Sequence, residues 1–350
     1  MNGIIVTQTL GLSTYQWNNN IKSMVLLAAF PFLLIALVAL FFLIVGWMSA
    51  DTYGVIDPHL TTDLGLGLVG NQPMTPILMT YQGVLEYGPY VFGIAVIWVL
   101  IGTLFNEGLI RMATGAKSVS RTDAPELYNL LENLCISRGM AMPKLFIIDT
   151  PIMNAYASGL GQASFSVTVT RGILETLDKD ELEAVLAHEL THIINRDVRL
   201  LVVTVLFGGM LSFFAEMAWR SMRHGRISSG NSRSKGNGAI LIVAALILSV
   251  GYLISVLFRL ALSRRREFLA DAGSVALTKN PAALIRALQK ISGHAAMPQV
   301  PSGVQAMLIE NPTSFMGLFA THPPIESRIA VLRRLGGLPQ AGESIIPRAG

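Results

Sequence analysis

The sequence predicts an α+β, mainly helical, polytopic membrane protein, and three observations predict it. Charged residues make up 14% of the chain and hydrophobic residues 52%, against roughly 25% charged in an ordinary soluble domain. Mean hydropathy is +0.53. Two charge-free runs, 24–50 and 87–106, each reach the roughly 20 apolar residues that a helical span needs. The rest of the chain mixes helical and strand periodicities with ordinary charge.

The elements follow in chain order. Residues 1–23 read as an N-terminal tail. Run 24–50 is too long for a signal peptide, whose apolar core is about 7–15 residues, so it reads as a retained anchor, with Pro31 placed to kink it near one end. Residues 51–86 carry Asp51, Asp57, Asp63 and Glu86 but no Lys or Arg, whereas Lys22 precedes the first span and Arg111, Lys117 and Arg121 follow the second. Positive charge marks the inner side of a membrane. The loop 51–86 is therefore expected outside, and the chain from about residue 107 inside.

Residues 107–199 read as soluble. In 124–140, Leu127, Leu130, Leu131, Leu134 and Ile136 have helical spacing. "PKLFIID" (143–149) reads as a strand, and 154–174 as a Gly-separated strand pair with alternating Ser, Val and Thr. Asp178 then stands as a helix N-cap with Glu181 three residues on, the pattern of a capping box. Residues 200–262 form an inserted hydrophobic hairpin: a short apolar run at 200–215, a basic Gly/Ser-rich loop, and a cleaner run at 239–258. If both runs cross, the basic loop lies outside, against the charge rule. Either the hairpin is shallow or re-entrant, or other forces override the bias. Residues 263–336 are soluble again, with Asn280–Pro281 and "PPIESRIAVLRRLGG" as helix starts, and 337–350 is expected to be a disordered tail.

The chemistry concentrates at "AHELTHIINRD". On a helix, positions i and i+4 share a face, so His188 and His192 can point both imidazoles at one ion. Glu189 lies about 100° round the helix, off the ligand pair but within reach of a water in a fourth position. That is the physical content of H-E-x-x-H: two metal ligands and a general base. An ordinary histidine pair on a half-exposed helix is the rival reading. Catalytic zinc takes three protein ligands, and "SRRREFLADAGSVAL" offers a third. There Glu267 can bind the ion, while Asp271, again i and i+4, can accept the second ring N–H of a ligating histidine. Alone, Glu267 would read as a neutraliser of the arginine run. Beside H-E-x-x-H, with both sites flanking one hydrophobic hairpin, it reads as a ligand. Asp197 either orients the active helix or is a surface acid at a helix end. The lone Cys135 excludes an intrachain disulfide and a thiolate zinc cluster.

Four segments in order, "NAYASG", "AHELTHIINRD", "RRREFLADAGSVAL" and "THPPIESRIAVL", together resemble the HtpX-type membrane zinc metalloproteases, relatives of the CAAX prenyl proteases. The resemblance implies a zincin-like (gluzincin) catalytic domain carrying a small β-sheet, built from 107–199 and 263–336. It implies one Zn2+ per chain held by His188, His192 and Glu267, with Glu189 as catalytic base and Asp271 behind a histidine. It also implies that Asn154 and Ala155 border the substrate cleft, and that His322 and Arg328 line it. There His322 would donate to the oxyanion at the scissile carbonyl. The N-terminal segment and the outside loop are longer than usual for the family.

The expected function is zinc-dependent cleavage of misfolded or damaged membrane proteins at the cytoplasmic face of the inner membrane. Its partners would be polypeptide substrates and the lipid bilayer, with no nucleic acid; the oligomeric state is left open. Substrate would bind extended along the "NAYASG" edge, unless that strand is purely internal. A non-catalytic membrane protein, such as a zinc-binding scaffold or a transporter subunit, is the rival from another class; transporters bury ionisable residues within their spans, and these spans carry none. A dedicated prenyl-protein processing protease shares the motifs but is longer, with more spans.

Overall fold

In the computed structural model, residues 12–50, 56, 74–224, 242–254, 264–292 and 323–338 are described. They divide into two compact units: residues 1–23, 105–204 and 258–350 form one, and residues 24–104 and 205–257 the other.

Two long helices carry the first two apolar runs, α1 (Leu12–Ser49) and α2 (Pro76–Thr114). Both outrun their charge-free stretches, because a helix ends where its backbone bonds end and not where lipid ends. At its start, α1 takes in Gln16, Asn19 and Asn20, whose side chains find partners in the first unit. Residues 12–23 are thus the opening turns of a helix where a tail was expected. For its part, α2 starts at Pro76, inside the expected outside loop, with proline at a helical start where its missing N–H costs nothing. Pro31 and Pro89 both lie inside their helices. The run left open at 200–215 belongs to α6 (Asp197–His224), of which Asp197–Arg220 is long and apolar enough to cross a membrane. A shorter apolar helix, α7, covers Ile242–Ile254; the rest of the expected span 239–258 and most of the basic loop lie outside the described residues. Among the described residues three helices therefore qualify as spans. Within the second unit, the Trp98 indole N–H donates to the Leu206 carbonyl at 3.0 Å, and Phe30 stacks on Phe207.

The first unit holds a four-stranded sheet of order β1-β2-β4-β3, from β1 (Lys117–Ser118), β2 (Lys144–Ile148), β3 (Ala155–Ser158) and β4 (Ser166–Thr170). β2 and β4 run parallel, and the expected strand pair is antiparallel with Ala155 opposite Val169. Every residue of β3 and β4 is buried, so the Ser/Thr alternation does not mark a wet face: the hydroxyls pair internally, as in Ser158 with Ser166 at 2.7 Å. Helix α3 (Pro125–Ser137) buries Leu127, Leu130, Leu131 and Leu134 as expected. Ile136 is instead 69% exposed, because it breaks the i, i+3, i+4 spacing, and Cys135 takes the buried place. The short α4 (Arg171–Thr176) follows β4.

The active helix is α5 (Lys179–Ile194). Its capping box is complete: Asp178 accepts from the Glu181 N–H at 2.9 Å, and Glu181 accepts from the Asp178 N–H at 3.0 Å. Buried Glu181 also takes Lys290 at 2.6 Å and Arg286 at 3.2 Å from α9 (Pro281–Ile291). Asn280 caps α9 through the Ala283 N–H. Ala184, Leu284, Leu288 and Leu332 join α5, α9 and α10 (Ile325–Leu335) in one apolar cluster, each buried leucine contributing roughly 1.5–3 kcal/mol. Helix α8 (Arg264–Thr278) lies against α5, with the Ser274 hydroxyl donating to the Ala184 carbonyl at 2.7 Å. Only glycine permits this approach at position 273: a Cβ there would stand 2.3 Å from the Thr191 methyl. Between α5 and α6, Arg196 takes the left-handed conformation, φ 62°. This tight reversal starts α6 at Asp197, directly below the histidine pair.

Candidate active site

The close packing of α8 on α5 brings together the three residues expected as ligands. His188, His192 and Glu267 are all buried, and one ligand atom from each lies within 4.8 Å of the others. Glu267 stands 3.6 Å from His188 Nε2 and 3.7 Å from His192 Nε2. The two rings meet edge to face, with centroids 4.8 Å apart. Tetrahedral zinc ligands at about 2.0–2.2 Å from an ion stand roughly 3.3–3.6 Å from one another. The two imidazole nitrogens each face one oxygen of the Glu267 carboxylate at close to this separation, a donor set that fits such an ion.

Each histidine has a carboxylate behind it. His188 Nδ1 lies 3.1 Å from Asp271, and His192 Nδ1 lies 3.2 Å from Asp197, which is fully buried. A carboxylate at the far nitrogen fixes the tautomer and turns Nε2 inward as a ligand. Of the two readings of Asp197, the structure thus shows the orienting contact. For His188, burial pushes against the charged form, but the bonds to Asp271 and Glu267 outweigh it and lift the ring to about 9. In the metal-free chain, a proton therefore competes with a metal for this nitrogen.

Arg328 is where the structure differs most from expectation. It is 1% exposed, and its guanidinium grips Asp271 with two bonds, Nε at 2.9 Å and Nη2 at 2.6 Å. Expected to line the cleft, it holds the acid behind His188; a forked guanidinium matches a carboxylate better than any other side chain does. Burial pushes the Asp271 carboxyl up, but the Arg328 charge and the His188 bond hold it below the usual carboxylate range. His322, the expected oxyanion donor, lies outside the described residues.

Glu189 is 2% exposed and its pKa is raised. Burial is the main cause and the Glu267 charge adds to it, while the neighbouring histidines and a bond from the Ala157 backbone pull the other way. A buried carboxyl with a raised pKa can accept and return a proton near neutral pH. That bond also locates β3, an edge strand of the sheet that packs against α5. Ala155 opens this strand and Asn154 directly precedes it. Asn154 is fully buried, ties its carbonyl to Thr170, and turns its own side-chain oxygen to the Ala155 N–H. Asn19, from the polar start of α1, also reaches the site. Sequence reasoning missed it, although Gln16, Asn19, Asn20 and Ser23 repeat with helical spacing along one face.

Against known families, residues 121–335 match Peptidase family M48. The chain belongs to peptidase family M48. A curated relative in Bacteroides fragilis, "Protease HtpX homolog", is 40% identical over 338 residues, 93% of this chain and 99% of its own. Proteins of the same description are similar in Streptococcus equi subsp. equi (36% over 250 residues, 67% of this chain and 84% of its own) and in Listeria monocytogenes (35% over 273 residues, 72% and 90%). Among solved structures, a crystal structure of S. mikatae Ste24p aligns at 19% identity with a TM-score of 0.42, covering 78% of this chain and 64% of that one, too loose a fit to argue from. The protein is a membrane metallopeptidase of the HtpX type, a hydrolase acting on peptide bonds.

Proposed function

We propose that the metal is a single zinc ion and that the enzyme is an endopeptidase clearing misfolded or damaged membrane proteins at the cytoplasmic face of the inner membrane, as a quality-control and stress-response function. The observation that carries the chemistry is the convergence of His188, His192 and Glu267 on one point, with buried Glu189 beside them. When bound there, zinc supplies Lewis-acid chemistry, acidifying water and polarising a carbonyl.

The chain's own residues do the rest. Glu189 takes a proton from the attacking water and returns it to the leaving amine. Asp271 and Asp197 hold the imidazoles in register, and Arg328 keeps Asp271 ionised and in place. An extended substrate would lie along the Asn154–Ala155 strand, read by its backbone more than its side chains, which supports broad sequence tolerance. His322 is assigned the oxyanion by resemblance to the family. The acidic loop and the basic residues after α2 support the cytoplasmic orientation.

The test is metal analysis joined to a casein-type protease assay in detergent. Wild type is expected to hold one zinc per chain and cleave. Glu189→Gln should keep the zinc and lose roughly 10²–10⁴-fold in turnover. Retained turnover in Glu189→Gln would remove the base. A C-terminal tag digested from outside intact cells would overturn the orientation.

A further inference from the structure

We propose that Asn19, on the N-terminal helix, is a positioning residue for the metal ligand His192. The sequence "YQWNNNIKS" places a run of amides just ahead of the first apolar stretch, where lipid exposure would leave them without partners. The structure puts Asn19 at 4% exposure. Its Nδ2 donates twice, to Asp197 Oδ1 at 2.9 Å and to the Asn195 carbonyl at 3.0 Å. The other oxygen of the same carboxylate, Asp197 Oδ2, faces His192 Nδ1 at 3.2 Å. The side chains therefore form an unbroken relay, Asn19 to Asp197 to His192 Nδ1, and it ends on the ring whose other nitrogen, Nε2, faces Glu267.

The local geometry needs such a hold. Asp197 begins α6 after Arg196, which sits in the left-handed region at φ 62°, a conformation costing about 1 kcal/mol or more in a non-glycine residue. The reversal leaves the last carbonyls of α5 without helical partners. Gln16 takes the Ile194 carbonyl at 2.7 Å, and Asn19 takes that of Asn195. Asn20, on the same stretch, bonds Arg199 at 3.1 Å, and Arg199 reaches the Leu160 carbonyl. Three neighbouring amides thus dock one helix on the unit, but only Asn19 touches the carboxylate that aims a ligand. A clamp on the chain reversal and a positioning bond to Asp197 make different predictions. The clamp makes Asn19 and Gln16 equivalent, since each takes a carbonyl at the reversal; the positioning bond separates them.

The inference rests on His192 as a metal ligand. The experiment uses the full chain in detergent, with zinc affinity from chelator competition, visible absorption of the cobalt-loaded protein, and thermal melting. Asn19→Leu is expected to weaken zinc about 10-fold, the lower end of what outer partners of a metal site contribute, and to alter the cobalt band. Asn19→Asp keeps the shape but sets a carboxylate against Asp197, so it should weaken zinc at least as much; it also serves if the leucine variant fails to fold. Gln16→Ala, which loses a reversal carbonyl but no bond to Asp197, should lower the melting temperature while leaving zinc affinity and the cobalt band unchanged. Equal loss of zinc in the Asn19 and Gln16 variants, or wild-type affinity and an unchanged cobalt band in both Asn19 variants, would overturn the proposal. A wild type that holds no zinc would instead defeat the metal reading beneath it.

Discussion

The two units of this chain follow opposite rules. In the unit that holds the site, charged and polar groups are buried: His188, Glu189, Glu267, Asp271, Asp197 and Arg328 all fall under 3% exposure. In the other unit many large apolar groups are exposed. Ile97 is 58% exposed, Leu100 52% and Leu104, at its edge, 74%. In water the second pattern would be an aggregation hazard. On helices long enough to span a bilayer it is the expected surface, because lipid is as apolar as the side chains it meets. The site unit instead keeps ions out of water by pairing them, as Arg328 with Asp271 at 2.6 Å, which is the condition for burying charge. Exposure thus has no fixed meaning along the chain; its meaning depends on the solvent each unit meets.

That contrast is broken most severely at the proposed third ligand. Glu267→Ala removes one of three donors and leaves two imidazoles, so zinc content measured after dialysis should fall well below one per chain, with proteolysis lost alongside. Full occupancy in this variant would mean that the third ligand lies elsewhere. Next comes the pair behind His188. Arg328→Met strips Asp271 of a bidentate partner in a fully buried place. An uncompensated buried charge costs about 3–5 kcal/mol, so the melting temperature should fall by several degrees. Because Asp271 is ionised through Arg328, the loss should shrink as pH falls and the carboxyl of the variant takes up a proton. A variant as stable as wild type at neutral pH would show that the pair contributes little.

How much of this was legible depends on whether the signal was local. The helix of the histidine pair announced itself by spacing, and its capping box by Asp178 and Glu181, because both are contacts within one turn. Glu267 and Asp271 were readable because they repeat the i, i+4 spacing on a second helix. The role of Arg328 was not, because nothing in "ESRIAVL" says whether a guanidinium points at substrate or at an acid 57 residues earlier. Asn19 was further out of reach: its bond to Asp197 crosses 178 residues, and a polar stretch before a span resembles any solvated helix end. The lengths of α1 and α2 were underestimated for a related reason. Hydropathy reports what lipid tolerates, whereas the helix continues wherever tertiary partners satisfy its polar side chains.

The smallest expected effect tests the comparison most directly. Ile97→Asn adds an amide to an exposed apolar face of α2, within the second unit. In detergent the side chain sits at a surface and leaves no cavity, so the melting temperature should change by no more than about 0.5 kcal/mol's worth, as at ordinary surface positions. Zinc content and proteolysis should match wild type. The effect should appear only in a bilayer: an amide facing hydrocarbon loses its hydrogen-bonding water, so the yield of membrane-inserted protein should drop while the purified protein behaves normally. A large loss of stability in detergent would instead show that Ile97 is packed against protein, and that this face of α2 is an interface and not a lipid surface.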